Sequence, residues 1–410
     1  MTSQRRFVIV GGGLAAAKLA EALRDNDFDG TVTVVSAEEH LPYERPPLSK
    51  EHLLGKKSLD EFTVDPAQWY RDHHIDLRLG TTVTAIDRTA KTVTLPDGST
   101  LDYDKLALAT GSTPRKPPLT GIDAPNVYTL RTIADSDTLI ELFNQSNSLA
   151  IVGAGWIGLE VAAAARGAGL DVTIVESAEQ PLLGALGAEM GAVFADLHTS
   201  HGVDLRLGTQ VTEITTHDTG EAQLADGLRL GDGSTVSADA ILVAVGARPN
   251  IELAADAGLA VDGGVLVDAN LLTSDPDIVA VGDIAEQSHP LLNRRIRVEH
   301  WANALNQPAV AAATMLGKSA SYDRLPYFFT DQYDLGMEYT GYAAPGDYDR
   351  VVVRGDTSKR EFVAFWLDSD NRVLAGMNVN VWDVTDRIKE LVTAGDPVDP
   401  DELADTSTPL

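Results

Sequence analysis

Two glycine-containing turns in this sequence have the residue spacing that binds the pyrophosphate of a dinucleotide. Small residues stand at the first, third and sixth positions of both, namely Gly11, Gly13 and Ala16 in the first turn and Gly153, Gly155 and Gly158 in the second. Glycine lets the backbone approach a pyrophosphate, which the free amides at the start of the next helix bind. Because the pattern occurs twice, the sequence predicts two bound dinucleotides.

A carboxylate about 20 residues after each first glycine bears on which dinucleotide is bound. Glu176 ends the second predicted strand of the second copy, where a carboxylate binds both ribose hydroxyls and repels a 2′-phosphate. No arginine follows within residues 177–179, so the pattern favours NAD over NADP, the alternative being a merely solvated glutamate. Glu38, the available carboxylate of the first copy, comes slightly later after its strand, so its role is less defined.

The elements around both turns are predicted to be a strand, a helix and a second strand. They span residues 7–10, 14–23 and 31–35 in the first copy, and residues 149–152, 157–168 and 171–176 in the second. Strands rich in β-branched residues that alternate with helices are typical of a parallel sheet with both faces covered. The sequence therefore predicts an α/β protein with two Rossmann-like, doubly wound dinucleotide-binding domains.

The segment after residue 325 is richer in aromatic residues and has a different pattern. Residues 350–354 and 361–367 alternate in a way that predicts antiparallel strands, and residues 383–391 predict a helix. The tail from Asp396 is acidic and contains proline, so we expect it to be poorly ordered. This segment is therefore predicted to be an α+β C-terminal domain.

The composition excludes several kinds of chemistry and of partner. The 410 residues include no cysteine, which excludes disulfides, iron–sulfur ligation and thiolate nucleophiles within this chain. With 32 basic and 61 acidic residues the net charge is −29, and a field of that sign repels nucleic acid and anionic membranes. No apolar stretch approaches the ~20 residues of a transmembrane helix, and the apolar run after Arg5-Arg6 is too short for a secretory signal. We therefore expect a cytoplasmic protein that binds neither nucleic acid nor membrane.

No metal site is predicted from the histidines. His198 and His201 stand three residues apart on a predicted helix, a spacing that can bind a metal ion. A third ligand is not evident in the sequence near them, so we expect no bound metal.

Further motifs follow one another along the chain. They are residues 42–50 with the sequence PYERPPLSK, residues 109–111, the second turn ending in Gly158-Leu159-Glu160, residues 245–249, Gly282-Asp283 and residues 299–304. With these motifs the chain resembles, over essentially its whole length, the FAD-dependent NADH–ferredoxin reductases of bacterial dioxygenase and cytochrome P450 systems. Apoptosis-inducing factor is a more distant relative. The resemblance implies an FAD-binding domain in two segments, 1–113 and 246–325, an NAD-binding domain, 114–245, and a C-terminal domain, 326–410.

The resemblance also implies roles for individual residues. Asp283, after Gly282, would accept hydrogen bonds from the ribityl chain of FAD, while Lys50 and Glu160 would be a catalytic pair near flavin N5. A cation there stabilises electron density that arrives on the flavin. The other implied cofactor-binding residues are Arg45, Thr110, Gly111, Arg115, Gly246, Trp301 and Phe329, the last standing where the family often has tryptophan. The alternatives are a buried salt bridge without a redox role, ordinary surface arginines and a core tryptophan.

The activity that the resemblance implies is hydride transfer from NADH to FAD, followed by single-electron transfer to a [2Fe–2S] ferredoxin that binds transiently. Cysteine-dependent reductases of the same architecture are excluded because the chain has no cysteine. Two alternatives remain open: an NADH-sensing flavoprotein like apoptosis-inducing factor, and an NADH–quinone reductase. The protein could be a monomer or a homodimer, and Arg294, Arg295 and Arg297 are predicted to form a basic patch that steers the ferredoxin.

Overall fold

Each glycine turn connects the first strand of a parallel sheet to the helix that follows it. The structure is a computed structural model, and it describes residues 5–410. The described chain divides into two units. The first takes in the residues up to Glu44, Leu59–Thr113 and Arg248–Pro326, and the second takes in Arg45–Ser58, Pro114–Ala247 and Tyr327–Leu410. Each unit is therefore assembled from separate stretches of chain.

Apart from shifts of one or two residues, this division differs from the predicted domains in two ways. The predicted C-terminal domain falls in the same unit as the predicted NAD-binding domain, and one segment changes unit. The sequence assigns Arg45–Ser58 to the first FAD-binding segment, whereas the structure groups it with the second unit. The reason is local bonding, because the hydroxyl of Ser136 donates to the carbonyl of Leu48 at 2.8 Å. Which cofactor each segment binds stays a prediction.

The strands are short and numerous. In chain order they are β1 Arg6–Val10, β2 Thr31–Val35, β3 Ile75–Arg78, β4 Ala85–Asp87, β5 Thr92–Thr94, β6 Thr100–Asp102, β7 Lys105–Leu108, β8 Ser112–Pro114, β9 Val127–Tyr128, β10 Ser148–Val152, β11 Asp171–Val175, β12 Asp204–Arg206, β13 Val211–Asp218, β14 Gln223–Leu230, β15 Thr235–Ser237, β16 Ala240–Val243, β17 Ala247–Pro249, β18 Val265–Val267, β19 Ile278–Ala280, β20 Ala285–His289, β21 Arg294–Arg297, β22 Tyr327–Gln332, β23 Leu335–Gly341, β24 Arg350–Asp356, β25 Glu361–Leu367 and β26 Val373–Val379.

The helices vary in length from a single turn to five turns. In chain order they are α1 Leu14–Asp25, α2 Ala67–Asp72, α3 Ile133–Gln145, α4 Trp156–Gly167, α5 Leu183–Ser200, α6 Glu252–Asp256, α7 Trp301–Met315, α8 Thr385–Ala394 and α9 Pro400–Ala404. Short 3-10 helices span Pro46–Ser49, Leu59–Glu61, Gly282–Ile284 and Thr357–Lys359. The elements predicted around both glycine turns are confirmed, with small differences at their ends. In the part of the chain that the structure describes, no helix has the length and apolarity needed to cross a membrane.

The first unit is built on five parallel strands in the order β19-β7-β1-β2-β3. Residues 7–10 of β1 are buried, as expected for a parallel strand whose two faces are both covered. The strand order reverses between β1 and β7, and such a switch point opens a crevice at the carboxyl ends of the strands. α1 begins at this edge, and α7 packs against α1. Antiparallel strands β4-β5-β6 and a sheet of β18-β20-β21 complete the unit.

The second unit repeats this arrangement and adds an antiparallel sheet. Its five parallel strands have the order β12-β11-β10-β16-β9, so the switch point lies between β10 and β16. Strands β13-β14-β15, which lie between β12 and β16 in the chain, form a separate antiparallel sheet. The C-terminal residues form an antiparallel sheet in the order β22-β23-β26-β25-β24, together with α8 and α9. The predicted α/β and α+β classes are therefore confirmed.

The prediction of a poorly ordered tail from Asp396 was wrong. Asp399 caps α9 by accepting hydrogen bonds from the amides of Asp401 and Glu402, and Leu403 is buried in the C-terminal core. The guanidinium of Arg354 donates to the carbonyls of Leu403, Asp405 and Thr408. The acidic composition of the tail did not predict this order, because the hydrogen-bond donors come from Arg354 in β24, outside the tail.

We predict that Arg354→Ala releases this tail. The substitution removes the guanidinium donor, and hydrogen bonds with a charged partner contribute about 1.5–3 kcal/mol. Limited proteolysis should therefore cut residues 399–410 at least about tenfold faster than in the wild type. Arg350→Ala, in the same strand, is the matched control and should leave cleavage unchanged. Equal cleavage of both variants would contradict the role of Arg354.

Candidate functional site

The first glycine turn leaves the start of α1 open. Gly11 has a φ of +130°, and a Cβ built on it would lie 2.1 Å from the carbonyl oxygen of Ala109 at the end of β7, so only glycine fits. Gly13 is the N-cap of α1 and offers no side-chain cap, and a Cβ at Gly13 would meet no atom within 4 Å. The space beside Gly13 is therefore open and the start of α1 has no side-chain cap, so this edge fits the pyrophosphate of FAD.

Asp283 is held at the same edge of the first unit by three neighbours. It lies after β19 in the 3-10 helix Gly282–Ile284, and the hydroxyl of Ser112 donates to its Oδ2 at 2.7 Å. Arg297 donates to its carbonyl oxygen at 3.1 Å, and Gln307 of α7 accepts the amide of Gly282 at 2.7 Å. A Cβ built on Gly282 would lie 3.4 Å from the Cβ of Ala15 in the first turn of α1, so Asp283 follows a residue close to the glycine turn. The resemblance assigns this carboxylate to the ribityl chain of FAD.

Thr110 and Gly111 are tied to a residue that the sequence analysis missed. The hydroxyl of Thr110 donates to the carbonyl of Asn250 at 2.7 Å, and the side-chain amide of Asn250 donates back to the carbonyl of Thr110 at 2.9 Å. The backbone amide of Asn250 donates to Gly111. Ser112 was also missed, although Ser112 and Asn250 directly follow two of the motifs that carry the resemblance.

The remaining predicted residues of the first unit have defined surroundings. Glu38 is half-buried and accepts a hydrogen bond at 2.5 Å from the hydroxyl of Tyr43. Ala16 is fully buried in the first turn of α1. Trp301 is the first residue of α7 and is half-buried. The binding roles of these residues stay predictions.

The second glycine turn has the same construction. A Cβ on Gly158 would lie 2.3 Å from the carbonyl oxygen of Gly153, because α4 packs directly on the turn. Gly155 is the N-cap of α4, again without a side-chain cap. Glu176 reaches back to this turn: its Oε2 accepts the amide of Ala154 and its Oε1 accepts the amide of Ala178, both at 2.8 Å. A carboxylate beside the turn suits the ribose of NAD.

The second unit contains a buried ion pair. Lys50 Nζ lies 2.7 Å from Glu160 Oε1, and their side chains are 10% and 5% exposed. The hydroxyl of Ser49 donates to Glu160 Oε2 at 2.5 Å, and that of Thr330 donates to Oε1 at 2.6 Å. Lys50 Nζ also lies 5.5 Å from the centroid of the Phe329 ring. The Glu160 carboxylate thus has a cation and two hydroxyl donors, which offset the cost of burying it.

Three stretches that are distant in sequence build this ion-pair cluster. Lys50 follows the 3-10 helix Pro46–Ser49, Glu160 lies in α4, and Phe329 and Thr330 lie in β22. The sequence analysis named Lys50, Glu160 and Phe329 but missed the two hydroxyl donors. Each missed donor is the immediate neighbour of a named residue, which is the signal that could have found it.

The predicted arginines contact backbone carbonyls within their own units. Arg45 donates to the carbonyl of Arg131, and the exposed Arg115 donates to the carbonyl of Ala247 at 2.8 Å. The amide of Arg115 also donates to Gly246, whose φ is +92°. These contacts give both arginines a structural role, and their cofactor contacts stay predictions.

The predicted residues fall into two sets according to their unit. The first unit contains Gly11, Gly13, Ala16, Glu38, Thr110, Gly111, Gly282, Asp283 and Trp301. The second unit contains Arg45, Lys50, Arg115, Gly153, Gly155, Gly158, Glu160, Glu176, Gly246 and Phe329. Each unit therefore has one glycine turn and two of the predicted carboxylates, Glu38 and Asp283 in the first unit and Glu160 and Glu176 in the second.

Comparison with known proteins identifies the family. Residues 5–307 match the family described as pyridine nucleotide-disulphide oxidoreductase, and residues 327–410 match the one described as reductase C-terminal. The chain belongs to the pyridine nucleotide-disulphide oxidoreductase family. This membership confirms the predicted cofactors, FAD and NAD. The family description mentions disulphide, but this chain contains no cysteine.

Individual relatives align with the whole chain. The protein is 42% identical over 407 residues to the ferredoxin–NAD(+) reductase component of the anthranilate 1,2-dioxygenase system of Burkholderia cepacia, with 98% of each chain covered. It is 38% identical to putidaredoxin reductase of Pseudomonas putida, covering 100% of this chain and 97% of the relative. A crystal structure of the covalent putidaredoxin reductase–putidaredoxin complex matches with a TM-score of 0.94 and 37% identity, over 99% of this chain and 97% of that one. The predicted resemblance is therefore confirmed.

We predict that Glu176 sets the choice of pyridine nucleotide. NADH should be preferred over NADPH by at least about tenfold in kcat/KM, or about 1.4 kcal/mol, because the carboxylate repels a 2′-phosphate. Steady-state kinetics should show a narrower preference for Glu176→Ala. The nearby exposed Glu179 supplies the control, and Glu179→Ala should keep the wild-type ratio. A wild-type enzyme that is faster with NADPH would refute the role of Glu176.

Proposed function

We propose that this chain is an NADH–ferredoxin reductase. NADH reduces the bound FAD, and electrons then pass singly to a [2Fe–2S] ferredoxin that serves a cytochrome P450 or Rieske-type oxygenase. The observation that carries this proposal is similarity along the whole chain, including residues 327–410, to proteins named as reductases of a ferredoxin or of putidaredoxin. We further propose a cytoplasmic monomer or homodimer that binds the ferredoxin transiently.

The residues of the two units have complementary tasks in this reaction. When bound, FAD supplies the capacity to accept a hydride and to release single electrons. In the second unit the amides at the start of α4 bind the NADH pyrophosphate, and Glu176 binds its ribose. In the first unit the amides at the start of α1 bind the FAD pyrophosphate, and Asp283 orients its ribityl chain.

Lys50 has a proposed electrostatic task. Hydride transfer adds negative charge to the flavin, and a fixed ammonium group stabilises that charge more effectively in a water-poor site than in bulk water. The ion pair with Glu160 and the ring of Phe329 hold the ammonium in one position. This support agrees with the role that the resemblance assigns to Lys50.

We predict that Lys50→Met slows reduction of the flavin by NADH at least about tenfold, because the charge that stabilises the product is lost. The FAD content should stay at the wild-type level, because the binding residues of the first unit are untouched. Stopped-flow absorbance of the flavin measures the rate. Lys56→Met, an exposed lysine of the same segment, is the control. An unchanged rate in Lys50→Met would rule out this role.

The acceptor is the part of the proposal that an experiment must decide. A sensor like apoptosis-inducing factor would hold its reduced flavin without turnover, and a quinone reductase would not need a ferredoxin. We expect NADH-driven reduction of cytochrome c to rise when a [2Fe–2S] ferredoxin is added. If no ferredoxin raises the rate while a quinone or oxygen does, the proposal fails.

One arginine of the predicted basic patch already has an anionic partner. Arg297 is ion-paired with Glu299 and donates to the carbonyl of Asp283, so its charge is already compensated. Arg295 donates to the backbone carbonyls of Val267 and Glu286. Arg294 and Arg295 are the exposed members of the predicted patch, and we propose them as the steering residues.

We predict that Arg294→Ala combined with Arg295→Ala flattens the salt dependence of ferredoxin reduction. Steering by local charge weakens with ionic strength, so the double variant should lose rate mainly at low salt. The measurement is the rate of cytochrome c reduction through ferredoxin across a salt series. Arg387→Ala in α8 removes one exposed cation elsewhere and serves as the control. Unaltered rates and salt dependence in the double variant would show that the ferredoxin docks on another surface.

A further inference from the structure

A continuous series of buried polar side chains leads from Glu160 to α5. Thr330 Oγ1 lies 2.6 Å from Glu160 Oε1, Gln332 Nε2 lies 3.2 Å from Thr330 Oγ1, and His198 Nε2 lies 2.8 Å from Gln332 Oε1. Tyr333 Oη lies 3.4 Å from His198 Nδ1. Glu160 is 5% exposed, and Thr330, Gln332 and His198 are at most 1% exposed. We call these five residues the donor chain.

The Glu160 carboxylate at one end of the donor chain determines the direction of every hydrogen bond in it. The Glu160 carboxylate, paired with Lys50, can only accept, so Thr330 must donate its single hydroxyl proton. Thr330 Oγ1 then accepts from the amide of Gln332, which turns the Gln332 carbonyl oxygen towards His198. That oxygen has no proton, so His198 must carry its proton on Nε2, and Nδ1 accepts from Tyr333.

His198 and Tyr333 have the protons that this direction requires. Burial lowers the pKa of His198 to about 4, so the ring is neutral near pH 7 and has one protonated nitrogen. Burial raises the pKa of Tyr333 to about 12, so its hydroxyl keeps the proton that it donates. All the donations therefore point towards Glu160.

The donor chain ends on the same oxygen that Lys50 contacts. Both Thr330 and Lys50 approach Glu160 Oε1, whereas Ser49 donates to Oε2. Hydrogen bonds in series polarise one another, so each donation strengthens the next towards the carboxylate. The donor chain thus draws off part of the negative charge that would otherwise compensate the Lys50 ammonium.

We infer that His198 and Gln332 are positioning residues that regulate how much positive charge Lys50 presents to the flavin. The inference rests on the proposed function of Lys50 and adds residues that do not take part in binding a nucleotide. Breaking the donor chain leaves Glu160 to compensate Lys50 more completely. Such a change should make reduction of the bound FAD less favourable.

Three variants of the holoenzyme test this inference. His198→Phe keeps a ring but removes the donor to Gln332, and His198→Gln replaces the ring Nε2–H with an amide N–H of similar reach. Thr199→Ala removes an exposed hydroxyl of the same helix and is the control. The readouts are the two-electron reduction potential of the bound FAD and the rate of its reduction by NADH.

We expect His198→Phe to shift the potential to a more negative value and to slow flavin reduction about threefold or more, with the FAD content unchanged. His198→Gln should restore most of both values, and Thr199→Ala should match the wild type. If Lys50→Met alters the potential and the rate while His198→Phe alters neither, the inference is wrong although the proposed role of Lys50 stands. If neither variant alters them, both are wrong.

A measurement on the wild-type protein tests the direction of the donor chain without any change of activity. Nitrogen-15 spectra of the nine histidine rings, with His198 assigned by its loss in His198→Gln, report which ring nitrogen carries the proton. We expect the neutral Nε2–H tautomer for His198. An Nδ1–H tautomer would reverse the donation and overturn the inference, even if His198→Phe did not fold.

Discussion

The structure depends on the close approach of each glycine turn to the strand beside it. A Cβ on Gly11 would lie 2.1 Å from the carbonyl of Ala109, and one on Gly153 would lie 2.6 Å from the carbonyl of Ala244. The approach occurs at the switch point of each sheet, where β1 pairs in parallel with β7 and β10 pairs in parallel with β16. In each unit the five parallel strands end at one edge. Gly282-Asp283 follows β19, two strands from β1, and Glu176 follows β11, the neighbour of β10. One constraint on the backbone therefore brings together residues that are far apart in sequence.

The second physical demand is the burial of charge in the second unit. An ion pair as buried as Lys50 and Glu160 costs free energy unless hydrogen bonds satisfy the remaining lone pairs. Ser49 and Thr330 donate these hydrogen bonds, and they are the immediate sequence neighbours of Lys50 and Phe329, which belong to the same cluster. Satisfying Glu160 in this way connects α4, β22 and the 3-10 helix Pro46–Ser49, so stability and charge placement arise from the same contacts.

The sequence predicted what depends on short-range pattern and missed what depends on tertiary contacts. The strands, helices and paired turns follow from alternation and spacing, and Glu176 follows from its distance to Gly153. Ser112, Asn250 and Gln332 were missed because each has a hydrogen-bond partner more than 130 residues away, as with Gln332 and His198 at a separation of 134. The ordered tail was missed for the same reason, since Arg354 binds it from another strand. Polar residues in such contacts have no periodic signature.

The absence of cysteine narrows what the protein itself can contribute to electron transfer. A chain without thiols has no side chain that stores a pair of electrons, so in the proposed reaction the flavin alone must accept two electrons and release them singly. The remaining control is electrostatic, through groups that favour or disfavour charge on the flavin. In a chain with net charge −29, a cation shielded from solvent keeps an influence that distant surface charges lose by screening. If the proposed role of Lys50 holds, a buried lysine therefore controls charge on the flavin more effectively than a surface arginine that lies more than a Debye length away.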